Sequence, residues 1–212
     1  MKDRLRTLLE SYDPQRIEGT SGPAAAVMVL MYEHSGEPHI VFQKRSELVL
    51  HHKGQVSFPG GAVDPEDLDL RVTALRETHE EMGVEPDHVD VLGQIDDIVT
   101  VTDFRVTPFV GWLNEYPYDF RYPPVEVAYL LEVPVPHLLD QRNFVPDRRE
   151  INGEEVILPA YRFRDELIWG ATARMLTNFL DLWSAVDPDS PPPPAATLAH
   201  RLSPPRRDTM QR

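Results

Sequence analysis

The segment that most constrains the fold of this chain runs from residue 54 to residue 84, where a glycine-rich turn precedes an acidic helix. Glu77, Glu80 and Glu81 place three carboxylates within five residues. At about 100° per residue, these side chains fall toward one side of a helix. Like charges three and four positions apart destabilise a helix by about 0.2–0.5 kcal/mol per pair. A bound divalent cation removes that repulsion, so the spacing predicts a cation site.

An acidic helix face also has a simpler interpretation, because most clusters of this kind are only exposed to solvent. The residues before the helix favour the cation. Gly60 and Gly61 permit a close backbone approach or a positive φ, and the Gly61 carbonyl is a suitable ligand for a hard cation. Oxygen donors of this type favour Mg²⁺ or Mn²⁺. Glu77 and Glu81 are the first-choice ligands, followed by Glu80 and Gly61.

The same helix is predicted to pack on the core through its other side. Residues 64–67 (DPED) are typical of a helix start, with an Asx cap and proline at the first helical position. Gly83 is typical of a helix end. Arg76 lies beside the carboxylates, where it is expected to orient Glu77 or Glu80. The side chains expected on the packed side are Val72, Leu75, His79 and Met82.

The segment resembles the Nudix box, whose usual form is G-x5-E-x7-R-E-U-x-E-E-x-G-U, with U an apolar residue. Asp67 stands where the first glutamate should follow the glycine, with one extra residue before the arginine, and Thr78 occupies an apolar position. The first glutamate is mainly structural in the family, so Asp67 is expected to replace it as a helix-capping acid. The resemblance implies an α/β fold, a Nudix-type α/β/α sandwich with a mixed β-sheet. The matching positions are Gly61, Arg76, Glu77, Glu80, Glu81, Gly83 and Val84.

The residues before the box are similar to the motif of coenzyme A diphosphatases of this superfamily, roughly L-L-T-x-R-S-x-x-x-R-x-x-x-G-x-V-x-F-P-G-G. Residues 45–46, 54–61 and the later 168–174 match this group. Gln43 replaces the threonine and Leu50 replaces the second arginine. The positions at which the resemblance implies a contact with substrate are Arg45, Ser46, His52, Phe58 and Gly60.

Several of these positions have a structural alternative. Residues 45–46 also suit a strand end with a surface cation, and Phe58 is favoured to fill the core over stacking on an adenine. His52 also suits packing. A metal role for His51 and His52 is disfavoured, because no third imidazole lies at ligand spacing. The resemblance covers about residues 24–183.

Cleavage of a diphosphate requires that its charge be neutralised and that a water be aligned and made more acidic. The proton acceptor is predicted to be a box glutamate, Glu80, or an acid on a later loop. Glu126 is the preferred loop acid, because it precedes a strand and matches an E-V element of the relatives; a solvated strand entry is its alternative. Asp96 and Asp97 are weaker candidates for metal or substrate contact, and a turn role is favoured for both.

Composition excludes several other classes of function. The net charge of −14, from 21 basic and 35 acidic residues, disfavours general nucleic-acid binding, which depends on a basic surface. The chain has no cysteine, so disulfides and thiolate metal sites are excluded. No apolar run reaches the roughly 18–20 residues that span a membrane. The N-terminus is typical of a short amphipathic helix at about residues 2–11 and not of a signal peptide, so a cytoplasmic location without membrane partners is expected.

One Nudix domain is predicted over residues 1–186, followed by a proline-rich, disordered tail over residues 187–212. A homodimer is left open. Helices are predicted at 69–82 and 169–183, and residues 155–163 are predicted to belong to a late hairpin. The predicted strands are 24–31, 39–43, 55–58, 89–98, 105–113 and 127–133.

These observations predict a metal-dependent hydrolase of a nucleoside diphosphate derivative. The resemblance favours coenzyme A or an acyl-CoA, giving 3′,5′-ADP and a 4′-phosphopantetheine. The alternative is an ADP-ribose or nucleotide-sugar diphosphatase, which the missing arginine at position 50 favours. A Nudix-like binding module without catalysis is less favoured, because such modules commonly lose the box glutamates that this chain keeps.

Overall fold

Residues 1–19, 22–151, 154–187 and 189–195 are described by the computed structural model of the protein. The strands, in chain order, are β1 (Ala24–His34), β2 (Glu37–Arg45), β3 (Val56–Ser57), β4 (Gly60–Ala62), β5 (Val89–Gln94), β6 (Ile98–Val99), β7 (Arg105–Leu113), β8 (Val127–Pro134), β9 (Asp147–Ile151), β10 (Glu154–Leu158), β11 (Tyr161–Phe163) and β12 (Glu166–Ile168). The helices are α1 (Lys2–Ser11), α2 (Leu70–Met82), α3 (Val135–Leu139) and α4 (Gly170–Val186), with short 3₁₀ helices at Pro86–His88 and Gln141–Asn143.

A mixed sheet in the order β3-β2-β1-β7-β5 forms the centre of the molecule. β1 runs antiparallel to β2 and β4 and parallel to β7. β8 pairs with β2, and both β5 and β6 pair with β7, all in antiparallel fashion. β9 with β10 and β11 with β12 form separate hairpins. The predicted mixed sheet is therefore confirmed.

Both faces of this sheet bury apolar side chains, because successive residues of a strand point to opposite faces. Val29 and Met31 of β1 belong to one core cluster, which includes residues of α1 and α4. Met28 and Leu30 belong to the other, which includes residues of α2. Helices thus cover both faces, which confirms the predicted α/β/α sandwich.

Most of the predicted strands and helices are observed close to their expected bounds. The strand predicted at 89–98 is divided into β5 and β6, because the ladder with β7 shifts register between Val91 and Gly93 and the chain then leaves the sheet. Residues 155–163, predicted as part of one hairpin, contribute to two. The short elements β4, β12 and α3 were not predicted, because each has only three to five residues and carries little periodicity.

The start of α2 differs from the predicted one. Asp69 is the N-cap, and its side chain accepts a hydrogen bond from Val72 N at 2.9 Å. Asp64, the predicted cap, closes a separate turn in which its N–H donates to Asp67 at 2.9 Å. The helix ends at Gly83 in the left-handed conformation, as predicted.

The packed side of α2 differs from the predicted one at one position. Met82 is buried, and Val72 and Leu75 are partly buried, as expected. His79 is exposed instead, so its predicted packing role is wrong. Thr78 is fully buried, and its hydroxyl donates to a backbone carbonyl one turn earlier at 2.6 Å. That internal hydrogen bond explains how a threonine occupies the apolar position of the box.

Both ends of the described chain pack on this core. α1 is observed at the predicted position and buries Leu5 and Leu9. At the other end, residues 193–195 are buried, although they belong to the predicted tail, 187–212. Position 188 and residues 196–212 of that tail lie outside the described residues. Among those described, no helix has the length and apolarity needed to cross a membrane.

Candidate active site

The glycine turn before α2 lies directly against the central strand. β4 pairs with β1 so that Gly61 is opposite Ala26 and Gly60 opposite Val27. Gly60 has φ +153°, and a Cβ at this position would lie 2.4 Å from the backbone oxygen of Ala26. Because that backbone cannot move aside, only glycine fits here. The turn therefore lies close to the acidic residues of α2, and the N–H of Gly60 donates to Glu81.

Glu81 is the most buried of the three box glutamates, with 6% of its side chain exposed. Its Oε2 accepts hydrogen bonds from Gln43 Nε2 at 2.6 Å and from Gly60 N at 2.8 Å. Its Oε1 accepts one from Arg45 Nη1 at 3.3 Å. Burial raises the pKa of Glu81 to about 7, against the opposing effect of these donors. A cation next to this carboxylate would favour its ionised form.

Glu77 lies one turn before Glu81, beside the glycine turn. A Cβ at Gly61 would lie 2.5 Å from Glu77 Oε1, so the absent side chain makes room for this carboxylate. Arg76 Nη1 donates to Glu77 Oε1 at 2.8 Å. Burial raises the pKa of Glu77, although Arg76 opposes the shift. Glu77 and Glu81 are thus two partly desolvated carboxylates on neighbouring turns of α2.

Glu80 lies in a different environment, because 54% of its side chain is exposed and its Oε2 accepts from Arg76 Nη1 at 3.1 Å. Adjacent helix positions are about 100° apart, so Glu80 and Glu81 diverge, and separate partners hold them apart. The three carboxylates expected on one acidic face therefore differ in exposure: Glu81 and Glu77 are largely buried, and Glu80 is exposed. Within the described ranges, no three carboxylate or imidazole side chains converge closely enough to hold a metal ion.

The donor chemistry of the site nevertheless fits a hard divalent cation. Glu77 and Glu81 offer carboxylate oxygens, and both have raised pKa values because of burial. The Gly61 backbone lies against Glu77 with no side chain between them. Oxygen donors of this kind suit Mg²⁺ and Mn²⁺, and a cation would offset the desolvation that the two carboxylates suffer.

Arg76 connects the carboxylates to the turn before α2. Its Nε and Nη2 each donate to a different oxygen of Asp67 at 3.0 Å, while Nη1 contacts Glu77 and Glu80. Thr73 Oγ1 donates to Asp67 Oδ2 at 2.8 Å. The hydrogen bonds from Arg76 are the main reason that the pKa of Asp67 is lowered. Asp67 is thus the partner of Arg76 and not the helix cap that was expected.

The residues predicted to contact substrate fall into different environments. Arg45 and Ser46 lie at the end of β2, where the Arg45 side chain reaches Glu81 and the Ser46 hydroxyl accepts from the N–H of Leu48 at 3.1 Å. His52 is exposed in the following loop. Phe58 has only 2% of its surface exposed and is stacked in the core. This burial supports the core role favoured for Phe58 over the predicted contact with substrate.

Glu126 lies just before β8, next to the end of β2. Its carbonyl accepts a hydrogen bond from Ser46 N at 2.8 Å, and Val127 is paired with Arg45 in the sheet. Its side chain is exposed. The strand pairing thus brings the backbone of Glu126 next to the end of β2, although about eighty residues separate Glu126 from Arg45 in the chain.

Asp96 and Asp97 have a structural role instead of the weaker ligand role considered for them. Tyr12 Oη donates to Asp96 Oδ1 at 2.6 Å. The N–H of Ile17 and the hydroxyl of Thr107 donate to Asp97 at 3.0 and 2.7 Å. These bonds attach the segment after α1 to the sheet, so the favoured turn role is the one that the contacts support.

Sequence reasoning missed Gln43, which was noted only as a departure from the motif. This residue is fully buried on β2, and its side chain, like that of Arg45, contacts Glu81. A glutamine among buried apolar strand residues was the available signal, because buried polar groups require partners.

Comparisons with known proteins agree with this geometry. A family model described as the NUDIX domain matches residues 22–160. The Nudix hydrolase NudL of Cronobacter sakazakii is 34% identical over 178 residues, which cover 82% of this chain and 90% of that protein. Nudix hydrolase 15, mitochondrial, of Arabidopsis thaliana is 33% identical over 172 residues, which cover 78% of this chain and 59% of that protein.

The solved structure of a MutT/nudix family protein from Enterococcus faecalis is similar over 91% of this chain and 72% of its own length. The TM-score is 0.53 and the sequence identity is 14%, so this likeness bears on the fold alone. The family model covers more than half of the chain, and NudL is similar along nearly its whole length. The chain therefore belongs to the Nudix hydrolases, enzymes that act on diphosphate linkages and generally use divalent metal ions.

Proposed function

We propose that this protein hydrolyses the diphosphate of coenzyme A or an acyl-CoA, giving 3′,5′-ADP and a 4′-phosphopantetheine. The observation that carries the proposal is the contact between Arg45 and Glu81 at 3.3 Å. It joins the arginine of the motif before the box to a buried glutamate of the box. A guanidinium is a favoured partner of phosphate oxygens, so an anionic substrate and a cation would meet at this point.

Glu77 and Glu81 would hold Mg²⁺ or Mn²⁺, with Glu80 and the Gly61 carbonyl as further ligands. The bound ion would neutralise the diphosphate and make a water more acidic. Arg45, with Ser46, His52 and the Gly60 backbone, would contact the substrate, and Arg76 would orient Glu77 and Glu80. Glu126 is the proposed acceptor of the proton released when the water oxygen bonds to phosphorus and the bridging P–O bond breaks; Glu80 is the alternative acceptor.

The test is the identification of products by mass spectrometry. The full chain is incubated with coenzyme A, ADP-ribose and nucleotide sugars, each with Mg²⁺ or Mn²⁺. The expected result is 3′,5′-ADP from coenzyme A at the highest kcat/KM. Turnover of ADP-ribose with coenzyme A left intact would exclude the proposed substrate while keeping the hydrolase.

Leu50 supports the second candidate, an ADP-ribose or nucleotide-sugar diphosphatase. The similar motif has an arginine at this position. A cationic side chain strengthens binding most for the substrate that carries more phosphate groups. Leu50 has 88% of its surface exposed, so it contributes little to folding. A substrate without the extra phosphate of coenzyme A has less need of that arginine.

Replacement of Leu50 by arginine is expected to lower KM for coenzyme A about tenfold, with kcat unchanged. The gain corresponds to about 1.4 kcal/mol, the size of one charge-assisted hydrogen bond. Steady-state kinetics on coenzyme A and ADP-ribose measure the effect. Leu68→Arg is the matched control, because Leu68 is 92% exposed and precedes α2. Equal changes in both variants would mean that only overall charge matters.

Glu126→Gln is expected to lower kcat by about 10²–10³-fold and to remove the acidic limb of the pH–rate profile. A general base contributes roughly this factor, and glutamine keeps the size of the side chain without accepting a proton. Glu115→Gln, an exposed glutamate in the loop before β8, serves as the control and should be neutral. An unchanged profile would return the role to Glu80.

A homodimer and a cytoplasmic location stay predictions. A binding module without catalysis is disfavoured because Glu77, Glu80 and Glu81 are all present. Product formation in the experiment above decides between enzyme and binding module.

A further inference from the structure

Gln43 is a buried polar residue whose side chain contacts the carboxylate of Glu81. It follows three fully buried apolar residues of β2, at positions 40–42, and is itself fully buried. An amide removed from water costs free energy unless it forms hydrogen bonds. Its side chain lies between Ser57 of the neighbouring strand and Glu81 of α2. The position of this amide therefore depends on its hydrogen bonds with Ser57 and Glu81.

The amide nitrogen of Gln43 is held mainly by Glu81. Nε2 donates to Glu81 Oε2 at 2.6 Å and more weakly to Ser57 Oγ at 3.4 Å. Oε1 of Gln43 is buried and has no hydrogen-bond partner in the part of the chain that the structure describes. The opposite orientation of the amide would set this oxygen against the Glu81 carboxylate, where two acceptors repel. Glu81 thus determines how Gln43 is turned.

The two oxygens of Glu81 are unequally used as a result. A carboxylate oxygen accepts about two hydrogen bonds, and Oε2 already accepts from Gln43 Nε2 and Gly60 N. Among the described residues, Oε1 accepts only the longer bond from Arg45, at 3.3 Å. The lone pairs that remain for another partner therefore lie on Oε1.

We propose that Gln43 is a positioning residue, which occupies Oε2 of Glu81 and turns Oε1 toward the cation. The inference rests on the proposed function, in which Glu81 is a ligand. The threonine found at this position in the similar motif has a hydroxyl only one bond beyond Cβ, whereas the amide nitrogen of glutamine is three bonds beyond it. A threonine would leave a gap of about one water molecule, so this chain makes a direct contact that the motif residue cannot make.

The test measures Mn²⁺ binding to the full chain by electron paramagnetic resonance, without substrate. Gln43→Met keeps the length of the side chain and removes the donor. It is expected to raise the Mn²⁺ dissociation constant by about 10-fold or more, the usual effect of losing a residue that orients a metal ligand. In the same variant, kcat should fall while KM for coenzyme A stays within about twofold, because the substrate is not contacted.

Two further variants separate positioning from a general loss of packing. Gln94→Met is the matched control, since Gln94 Nε2 donates to the Asp97 carboxylate at 3.3 Å, outside the candidate site; it should leave Mn²⁺ affinity unchanged. In a Glu81→Gln background, Gln43→Met should have almost no further effect on the dissociation constant, because residues that act through one another are non-additive. Full additivity of the two changes would overturn the proposal.

If Gln43→Met does not fold, the Mn²⁺ dissociation constant is measured for Gln43→Thr instead. A bridging water can replace part of the lost contact, so the dissociation constant should rise about threefold or more. An unchanged affinity in this variant, with Glu81→Gln clearly weakened, would reject the role of Gln43 and keep the metal site. An unchanged affinity in Glu81→Gln itself would reject the metal site on which the inference rests.

Discussion

Glu81→Gln is expected to lower kcat about 10³-fold. Glutamine keeps the shape of the side chain but removes the buried negative charge that would hold the cation. A metal ion contributes several kcal/mol to stabilisation of the transition state, and about 4 kcal/mol corresponds to this factor. Steady-state rates with Mg²⁺ and with Mn²⁺ measure the loss. KM for the substrate should change much less than kcat.

The control for this variant is Glu85→Gln. Glu85 is an exposed glutamate just beyond α2 and should be neutral. Circular dichroism before and after each assay shows whether the variants stay folded. A fully active Glu81→Gln would contradict the assignment of the metal site.

The buried charge of Glu81 should also be visible in stability when metal is removed. Its pKa is raised to about 7 by burial, above the roughly 4.3 of an unfolded chain. Between these values the folded state binds more protons, so stability of the metal-free protein falls as the pH rises from about 4 to 7. Glu81→Gln removes this dependence. The Tm of the variant minus that of the wild type should therefore increase as the pH rises over that range. Thermal melts in chelator across this range measure it; a constant difference in Tm would contradict the shift.

Asp67→Ala is expected to lower the free energy of unfolding by about 2–3 kcal/mol. The change removes four hydrogen bonds that the Asp67 carboxylate accepts, two from the Arg76 guanidinium, one from the Thr73 hydroxyl and one from the N–H of Asp64. The Asp67 side chain is almost fully buried, and hydrogen bonds to charged groups contribute about 1.5–3 kcal/mol. Arg76 is also left without its main partner, which adds to the cost. Chemical denaturation at pH 7 measures the difference.

The pH dependence distinguishes this pair from a surface contact. The pKa of Asp67 is lowered by Arg76, so the stabilisation is fully present above the unfolded value of about 3.9 and is lost as the pH falls below it. The difference between wild type and Asp67→Ala should therefore narrow below about pH 4. Asp119→Ala breaks the exposed pair with Arg121 and should have little effect at any pH. A similar loss in both variants would contradict the buried-pair explanation.

The sequence predicted the central elements well because their patterns are long and regular. β7 is observed at the predicted bounds, and β1, β2 and β8 contain the predicted strands. α2 was recognised from the box and from its helix-ending Gly83. The α/β/α arrangement followed from the resemblance to the Nudix superfamily.

Errors occurred where a local pattern had two solutions. Asp64 and Asp69 are both suitable helix caps. Asp64 instead forms a separate turn with Asp67, and α2 begins after Asp69, which caps it. His79 was assigned to the packed side by helical spacing, but the orientation of α2 on the sheet leaves it exposed. Phe58 differs from His79 in that it is buried: it directly follows β3, and its side chain lies in the core.

The family, the acidic helix and the glycine turn could be inferred from residue types at fixed local spacing. Local spacing did not reveal that Glu81 is buried, that Glu80 is exposed, or that Gln43 and Arg45 contact Glu81 and not Glu80. Burial and the choice of partner depend on how α2 packs against β1 and β2. That packing is between segments far apart in the chain, which local spacing does not encode.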